Sequence, residues 1–331
     1  MNWLRHVLVL LLALAGVLAS PDSRAETVCT ASMSDLNFGL ANTSTAVIDY
    51  ECVTTNAFLS GRADVAMCFA IGPGSSTGST VTQRRMNNAD NDTLNFVIHR
   101  TASNPSDNWG DSPPEHYQLI IDYPLTGGFF SGGSERGQIT VYGRIPSRTG
   151  LAAGDYSSTF NSTDLDYRYR DSLFQPAPTS CNGPGQNGPN DSFPFTARAN
   201  VPGSCSVVTA SDMSFSPGGM PLSGTSTGNL TSTSTINLTC TNRTAWQVGL
   251  DEGQNPSGGG RQMCNPGGAC IAYQLNQPDG FTPWGDDLDV NTVDGISAGT
   301  QQTLTVKGRV NDQPLTQAGR YSDTVKVILT Y

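Results

Sequence analysis

Ile139-Thr140-Val141-Tyr142-Gly143-Arg144-Ile145 and Leu304-Thr305-Val306-Lys307-Gly308-Arg309-Val310 are two versions of one phrase. In each version the glycine is followed eleven residues later by Gly-x-Tyr-Ser, at Gly154–Ser157 and at Gly319–Ser322. The match extends upstream. Arg85-Met86-Asn87 with Leu94, Phe96 and Ile98 answers Gln262-Met263-Cys264 with Ile271, Tyr273 and Leu275, and Trp109-Gly110-Asp111 answers Trp284-Gly285-Asp286. Each copy opens on a cysteine followed by an aromatic residue, Cys29 to Phe38 and Cys205 to Phe215. Self-similarity at this scale means two tandem domains, placed at 26–201 and 203–331.

Within each copy the apolar period is two. Ile48, Tyr50 and Cys52 alternate with polar residues, as do Ile236, Leu238 and Cys240, and the last residues show Val325, Val327 and Leu329 on one face. Short strands parted by Gly, Asn and Ser turns predict an all-β chain of two sandwiches. Composition agrees. Charged residues make up 14% of the chain against about 25% in an ordinary domain, which excludes a coiled coil or helical bundle. Hydrophobic residues, at 37%, suffice for packed cores and exclude disorder throughout. The net charge is −10 and the only lysines are Lys307 and Lys326, so no basic stripe exists to follow a nucleic-acid backbone.

Residues 1–25 read as a secretory signal peptide: Arg5, the apolar run Val7–Leu18, then small residues at Ser23 and Ala25. That run is too short to span a bilayer, and no later segment is long enough, so no membrane span is expected. In an oxidising compartment the eight cysteines imply disulfides. The repeat suggests Cys29–Cys52 and Cys205–Cys240 at equivalent places and Cys264–Cys270 across a short turn, which leaves Cys68–Cys181. Eight cysteines permit about 105 pairings, so sequence alone leaves the connectivity open. No Cys or Cys/His spacing of a zinc site is present, and no metal or cofactor is expected.

The segment Gly308-Arg309-Val310 through Gly319-Arg320-Tyr321-Ser322-Asp323-Thr324-Val325 to Tyr331, with Trp284-Gly285-Asp286 and Cys205, resembles the spore coat protein U domain family. That family includes the subunits of Csu-type archaic chaperone–usher pili. The first copy is similar at Tyr142–Pro146, Gly154–Ser157 and Trp109–Asp111 and departs in its long insertions. The resemblance implies immunoglobulin-like, pilin-type sandwiches that lack a last strand and receive it from a neighbour by strand addition. It also implies a periplasmic chaperone, an outer-membrane usher and a neighbouring pilin subunit as partners.

Only Glu26-Thr27-Val28 precede Cys29, too short for a donor segment. A donor pattern stands instead between the copies, where Phe193, Phe195, Ala197, Ala199 and Val201 alternate with Pro194, Thr196, Arg198 and Asn200. Residues 192–201 are therefore expected to complete the first domain in cis, while the second, ending on its sixth strand at Tyr331, lacks its last strand and accepts one. A subunit that accepts but does not donate belongs at a fibre tip, on the cell surface.

The far end of the first sandwich would carry loops at about 53–62, 124–137 and 162–191. Each holds an apolar pair: Phe58 and Leu59, Phe129 and Phe130, Leu173 and Phe174. By resemblance to Csu-type tip subunits, these six residues are the expected adhesive surface, meeting abiotic or host surfaces and supporting biofilm formation. A Cys68–Cys181 bridge would stiffen the third loop. Two other readings are a carbohydrate-binding tip lectin using Trp109 or loop Asn and Asp residues, and a non-tip structural subunit. Catalysis is not expected: His99 and His116 are the only histidines past the leader, and no Ser/His/Asp or paired-carboxylate arrangement accompanies them. The run Asp286-Asp287-Leu288-Asp289 lacks the spacing of a calcium loop.

Overall fold

The computed structural model describes residues 26–102, 107–113, 115–216 and 221–331; the expected leader, 1–25, lies outside them. These residues hold strands and turns and no helix. No helix long and apolar enough to cross a membrane occurs among them. The chain divides into two compact units, one reaching to Arg148 and including Asp155–Asn200, the other Thr149–Gly154 with Val201–Tyr331.

The first unit contains β1 (Glu26–Met33), β2 (Leu36–Gly39), β3 (Thr43–Phe58), β4 (Arg62–Ile71), β5 (Arg84–Asn87), β6 (Thr93–His99), β7 (Tyr117–Pro124), β8 (Thr126–Gly127), β9 (Phe130–Arg144), β10 (Gly154–Phe160), β11 (Thr163–Arg170), β12 (Gln186–Asn187) and β13 (Phe195–Val201). One sheet runs β1-β3-β9-β6-β5-β10-β13-β2, with the short β8 against β9, and the other runs β12-β11-β4-β7. Period-two alternation gives each sheet an apolar inner face, with Ile48, Val141 and Phe96 from one and Val65, Phe69 and Leu165 from the other fully buried.

The quoted phrase lies on β9, and its glycine has a packing reason. A Cβ on Gly143 would stand 2.6 Å from the Phe38 ring and 2.7 Å from Leu36. Only a bare backbone lets β2 close over this strand. The Trp-Gly-Asp phrase is equally structural. Trp109 is wholly buried; its indole N–H donates to Phe69 O at 2.8 Å, and its carbonyl accepts Arg84 Nη2 at 2.7 Å. Arg84 also donates to the carbonyls of Ile71, Gly72 and Val81. Burial pulls its guanidinium down to about 10, so it stays charged at neutral pH.

β13 lies between β10 and β2, parallel to β2. Phe193, Phe195, Ala197, Ala199 and Val201 all turn inward and are buried, while Pro194 and Arg198 stay at the surface. Phe193 stacks on Trp109 with ring centres 6.0 Å apart, and Phe195 stacks on Phe160 at 4.4 Å. Pro194, just before the strand, needs no ladder donor there.

The second unit contains β14 (Cys205–Ala210), β15 (Leu230–Cys240), β16 (Ala245–Leu250), β17 (Arg261–Cys264), β18 (Cys270–Asn276), β19 (Val293–Ile296), β20 (Gln302–Val310) and β21 (Val327–Thr330). Its sheets run β14-β15-β20-β18-β17 and β19-β16-β21. The framework recurs. Trp284 is buried, its indole donates to Val248 O at 2.8 Å, and its carbonyl accepts Arg261 Nη2 at 2.8 Å. A Cβ on Gly308 would meet Met213 and the Phe215 ring. Disulfides join Cys29–Cys52, Cys68–Cys181, Cys205–Cys240 and Cys264–Cys270. All but the second link directly opposed residues of neighbouring strands.

Phe193→Ala should empty the space beside Trp109 and cost the first unit about 3–5 kcal/mol, read as a lower urea midpoint for the mature chain by tryptophan fluorescence. A second expectation concerns acid. His99 is buried with neither ring nitrogen hydrogen-bonded among the described residues, and burial, aided by Arg144, holds its pKa below the usual value. The unfolded chain then takes up a proton below about pH 6.5 that the folded unit refuses, so stability falls as pH drops through that value. His99→Leu should flatten the decline in urea midpoint between about pH 7.5 and about pH 5. His116, lowered by burial and Arg100, leaves a residual slope of the same sign.

Candidate adhesive end and strand-accepting groove

Of the apolar residues expected in loops, Phe58 and Phe130 prove to sit on the ends of strands, while Leu59 and Phe129 stand just beyond them and Leu173 and Phe174 in a turn after β11. β3 and β9 stay paired past Thr54 and Gly133, shift register, and resume at Ala57 with Ser131 and Phe58 with Phe130. β11 is likewise a full strand on β4. The loops drawn at 53–62, 124–137 and 162–191 are thus corrected to a short turn at about 59–61, a connection at about 125–129 that contains β8, and a longer crossing at 171–185. The β3–β9 extension carries little apolar alternation, since main-chain hydrogen bonds continue a ladder already begun. β11 did carry a signal, Thr163, Leu165, Tyr167 and Tyr169 alternating with Asp164, Asp166, Arg168 and Arg170.

Strand register brings the three apolar pairs to one end of this unit. Arg62 opposes Pro124, Asp64 opposes Arg170, and Gly61 O accepts Leu125 N–H at 2.9 Å. The start of β4 therefore shares an end with the finishes of β3, β7 and β11 and the start of β9. Phe58, Leu59, Phe129 and Phe130 are brought together: the Phe58 and Phe130 rings lie 5.9 Å apart, and Leu59 N–H donates to Phe129 O at 3.2 Å. Ser131 Oγ pins the turn by donating to the carbonyls of Ala57 and Ser60. Leu59 holds φ 53°, a left-handed conformation that costs a branched residue about 1–2 kcal/mol. Leu173 and Phe174 stand in a separate turn after β11, held by the Gln175 N–H to Ser172 O bond.

All six are exposed: Phe58 44%, Leu59 42%, Phe129 69%, Phe130 53%, Leu173 66% and Phe174 80%. They do not plug the sandwich end, because Tyr123, Tyr169 and Leu125 already fill it. The long crossing is fastened elsewhere. Cys181 reaches Cys68 well along β4, and Arg168 donates to the carbonyls of Cys181 and Gly185, laying the segment back along β11. The bridge lies well along β4 because the crossing returns beside β11 before it reaches β13. His116 approaches both sulfurs within metal-ligand range, but those sulfurs are bonded to each other. Trp109, with no exposed surface, offers no platform for a sugar.

The second unit differs from the first where β10 and β13 would be. The stretch from Gly319 to Val325, counterpart of β10, makes only isolated bridges, Gly319 to Leu222 and Ser322 to Cys264. Beside it runs a groove of about 520 Å³ lined by Met213, Phe215, Tyr273, Val306, Val325 and Val327, among others. Leu36, Phe38 and Phe160 are buried beneath β13, whereas their counterparts Met213, Phe215 and Val325 are only half-buried. The counterpart of Phe160 is the smaller Val325, which lines the groove. One polar pair lies in it, Tyr273 Oη donating to Asp323 Oδ2 at 2.7 Å, and burial with that contact pushes the tyrosine pKa up.

The Spore Coat Protein U domain model matches residues 15–163 and 191–328. The chain belongs to that family. No curated protein sequence matches it. Among solved structures, the family member is similar to the CsuC–CsuE chaperone–tip adhesion subunit complex of the archaic chaperone-usher Csu pili of Acinetobacter baumannii. The identity there is 15% and the TM-score 0.43, covering 93% of this chain and 100% of that one. It is also similar to the CupB6 tip adhesin of Pseudomonas aeruginosa, at 10% identity and a TM-score of 0.32, covering 93% and 96%. The enterotoxigenic E. coli CFA/I adhesin CfaE is similar at 8% identity and a TM-score of 0.34, covering 80% and 81%.

Replacing Cys68 and Cys181 by serine should leave the sandwich folded but release the 171–185 crossing. Limited proteolysis should then cut within it several times faster, with the strands unaffected.

Proposed function

We propose that this protein is the tip adhesin of an archaic chaperone–usher fibre. Residues 26–201 act as the adhesin, completed in cis by the strand ending at Val201, and residues 203–331 join the fibre by accepting a donor strand from a neighbouring subunit. The observation that carries this reading is the asymmetry between two copies of one framework. In the first, Phe193, Phe195, Ala197, Ala199 and Val201 fill the strand position; in the second, the same position is an open apolar groove. A unit closed by its own chain needs no donor, and a unit left open needs one.

A leader at 1–25 would direct the chain to the periplasm, where a chaperone would cover the groove until an usher delivers the subunit to the cell surface. Disulfides suit that route. The closed unit then meets the environment with six exposed apolar side chains at and just beyond the ends of paired strands, supported by a strained Leu59 turn. Exposed aromatics on stiff supports lose little entropy on contact, which suits adhesion to apolar abiotic or host surfaces and biofilm formation. Many fibres per cell would multiply weak contacts. The role is binding and assembly, not catalysis.

Phe129→Ser with Phe130→Ser tests the adhesive assignment. Each aromatic contributes at most about 1.5–3 kcal/mol when fully buried in a contact. Attachment of fibre-bearing cells to polystyrene should fall about tenfold or more, with fibre yield unchanged and soluble sugars without effect. Undiminished attachment would refute the assignment.

A further inference from the structure

In the first unit Asp35 serves the inserted strand twice. One carboxylate oxygen accepts Thr196 N–H at 2.8 Å, and the other pairs with Arg198 Nε at 3.4 Å. Asp35 belongs to Ser34-Asp35-Leu36-Asn37-Phe38, and the second unit carries Ser211-Asp212-Met213-Ser214-Phe215. The two stretches are the same local structure. Ser34 N–H donates to Val47 O at 3.0 Å while its hydroxyl accepts Val47 N–H at 2.9 Å. Ser211 N–H donates to Thr235 O at 2.9 Å while its hydroxyl accepts Thr235 N–H at 2.8 Å. Leu36 and Phe38 close over Gly143 as Met213 and Phe215 close over Gly308. Asp212 therefore stands at the rim of the open groove where Asp35 stands beside the filled one. It lines that groove, it is exposed, and no hydrogen bond or ion pair engages its carboxylate among the described residues.

We propose that Asp212 determines which strand the groove takes. It accepts a main-chain N–H of the incoming strand and pairs with a Lys or Arg two residues further along. The ligand class is an extended segment of alternating apolar residues with a cation at the outward position between the third and fourth of them, where Arg198 stands in β13. The inference rests on the strand-accepting reading of the second unit and adds a charge requirement to it.

The test uses the mature full-length protein and a labelled synthetic peptide copying residues 191–202, with Arg198→Gln and Arg198→Glu versions of it. Binding is read by fluorescence anisotropy. An exposed pair of this kind should make the Arg peptide bind about two- to fivefold tighter than the Gln peptide, with the Glu peptide weaker again. Asp212→Asn keeps an acceptor oxygen and removes the charge, so it should make the three peptides bind alike, and Asp212→Lys should reverse their order. Asp35→Asn should leave the preference intact. Equal binding of all three peptides to the wild-type protein overturns the role of Asp212 and leaves the groove reading standing. A preference abolished by Asp35→Asn rather than by Asp212→Asn also overturns it. If no alternating apolar peptide binds, and one with Phe193→Ser and Phe195→Ser behaves no differently, the strand-accepting reading itself fails.

Discussion

A sandwich whose neighbouring strands do not close one sheet leaves a trough of apolar side chains flanked by unpaired main-chain groups. Both costs must be met, since unpaired buried N–H and C=O groups are as unfavourable as exposed apolar area. In the first unit β13 meets both at once. Its main chain joins the sheet between β10 and β2, and its inward residues end in two stacked phenylalanine contacts. The second unit meets neither, and its groove walls stay half-buried. Nearly every functional property proposed for this protein descends from that difference.

An open sandwich still has to hold its shape. The repeated clasp explains how. Arg84 and Arg261 each donate to backbone carbonyls at the finish of the central strand of the smaller sheet, and a tryptophan carbonyl is among the acceptors in both. The charges are satisfied by oriented peptide dipoles, and among the described residues no carboxylate is directly bonded to them. Cross-strand disulfides fasten the first pair of strands in each unit. The hydrogen bonds of the clasp and the disulfides recur in both units, so this framework is the same whether the strand position is filled or open.

At the other end of the first unit the same main-chain economy produces exposure. The β3–β9 ladder runs beyond the sandwich core, so Phe58 and Phe130 cap a paired extension with no second sheet to cover them. The turn beyond them tolerates Leu59 in a left-handed conformation because Ser131 fixes both sides of it. Stiffness and exposure thus arise together, from hydrogen bonds that continue where the core has ended.

The amino-acid sequence by itself determined the all-β class, the duplication and the alternation of Phe193 to Val201, because these are properties of one chain read along its length. A period of two is imposed by the pleat wherever a strand has one buried face. It could not show that residues 53–58 and 130–137 extend the ladder, since pairing there is made by main-chain groups common to all residues. Nor could it settle the exposure of Phe129 or Phe174, or show that Trp109 is fully enclosed, because burial depends on what other strands lay over a side chain. The likeness of Asp35 to Asp212 was visible in five letters, Ser-Asp-x-x-Phe, at matching places in the repeat. Only the tertiary structure decided that one carboxylate is engaged by an inserted strand while the other faces an open groove, because that contact joins residues more than 160 positions apart.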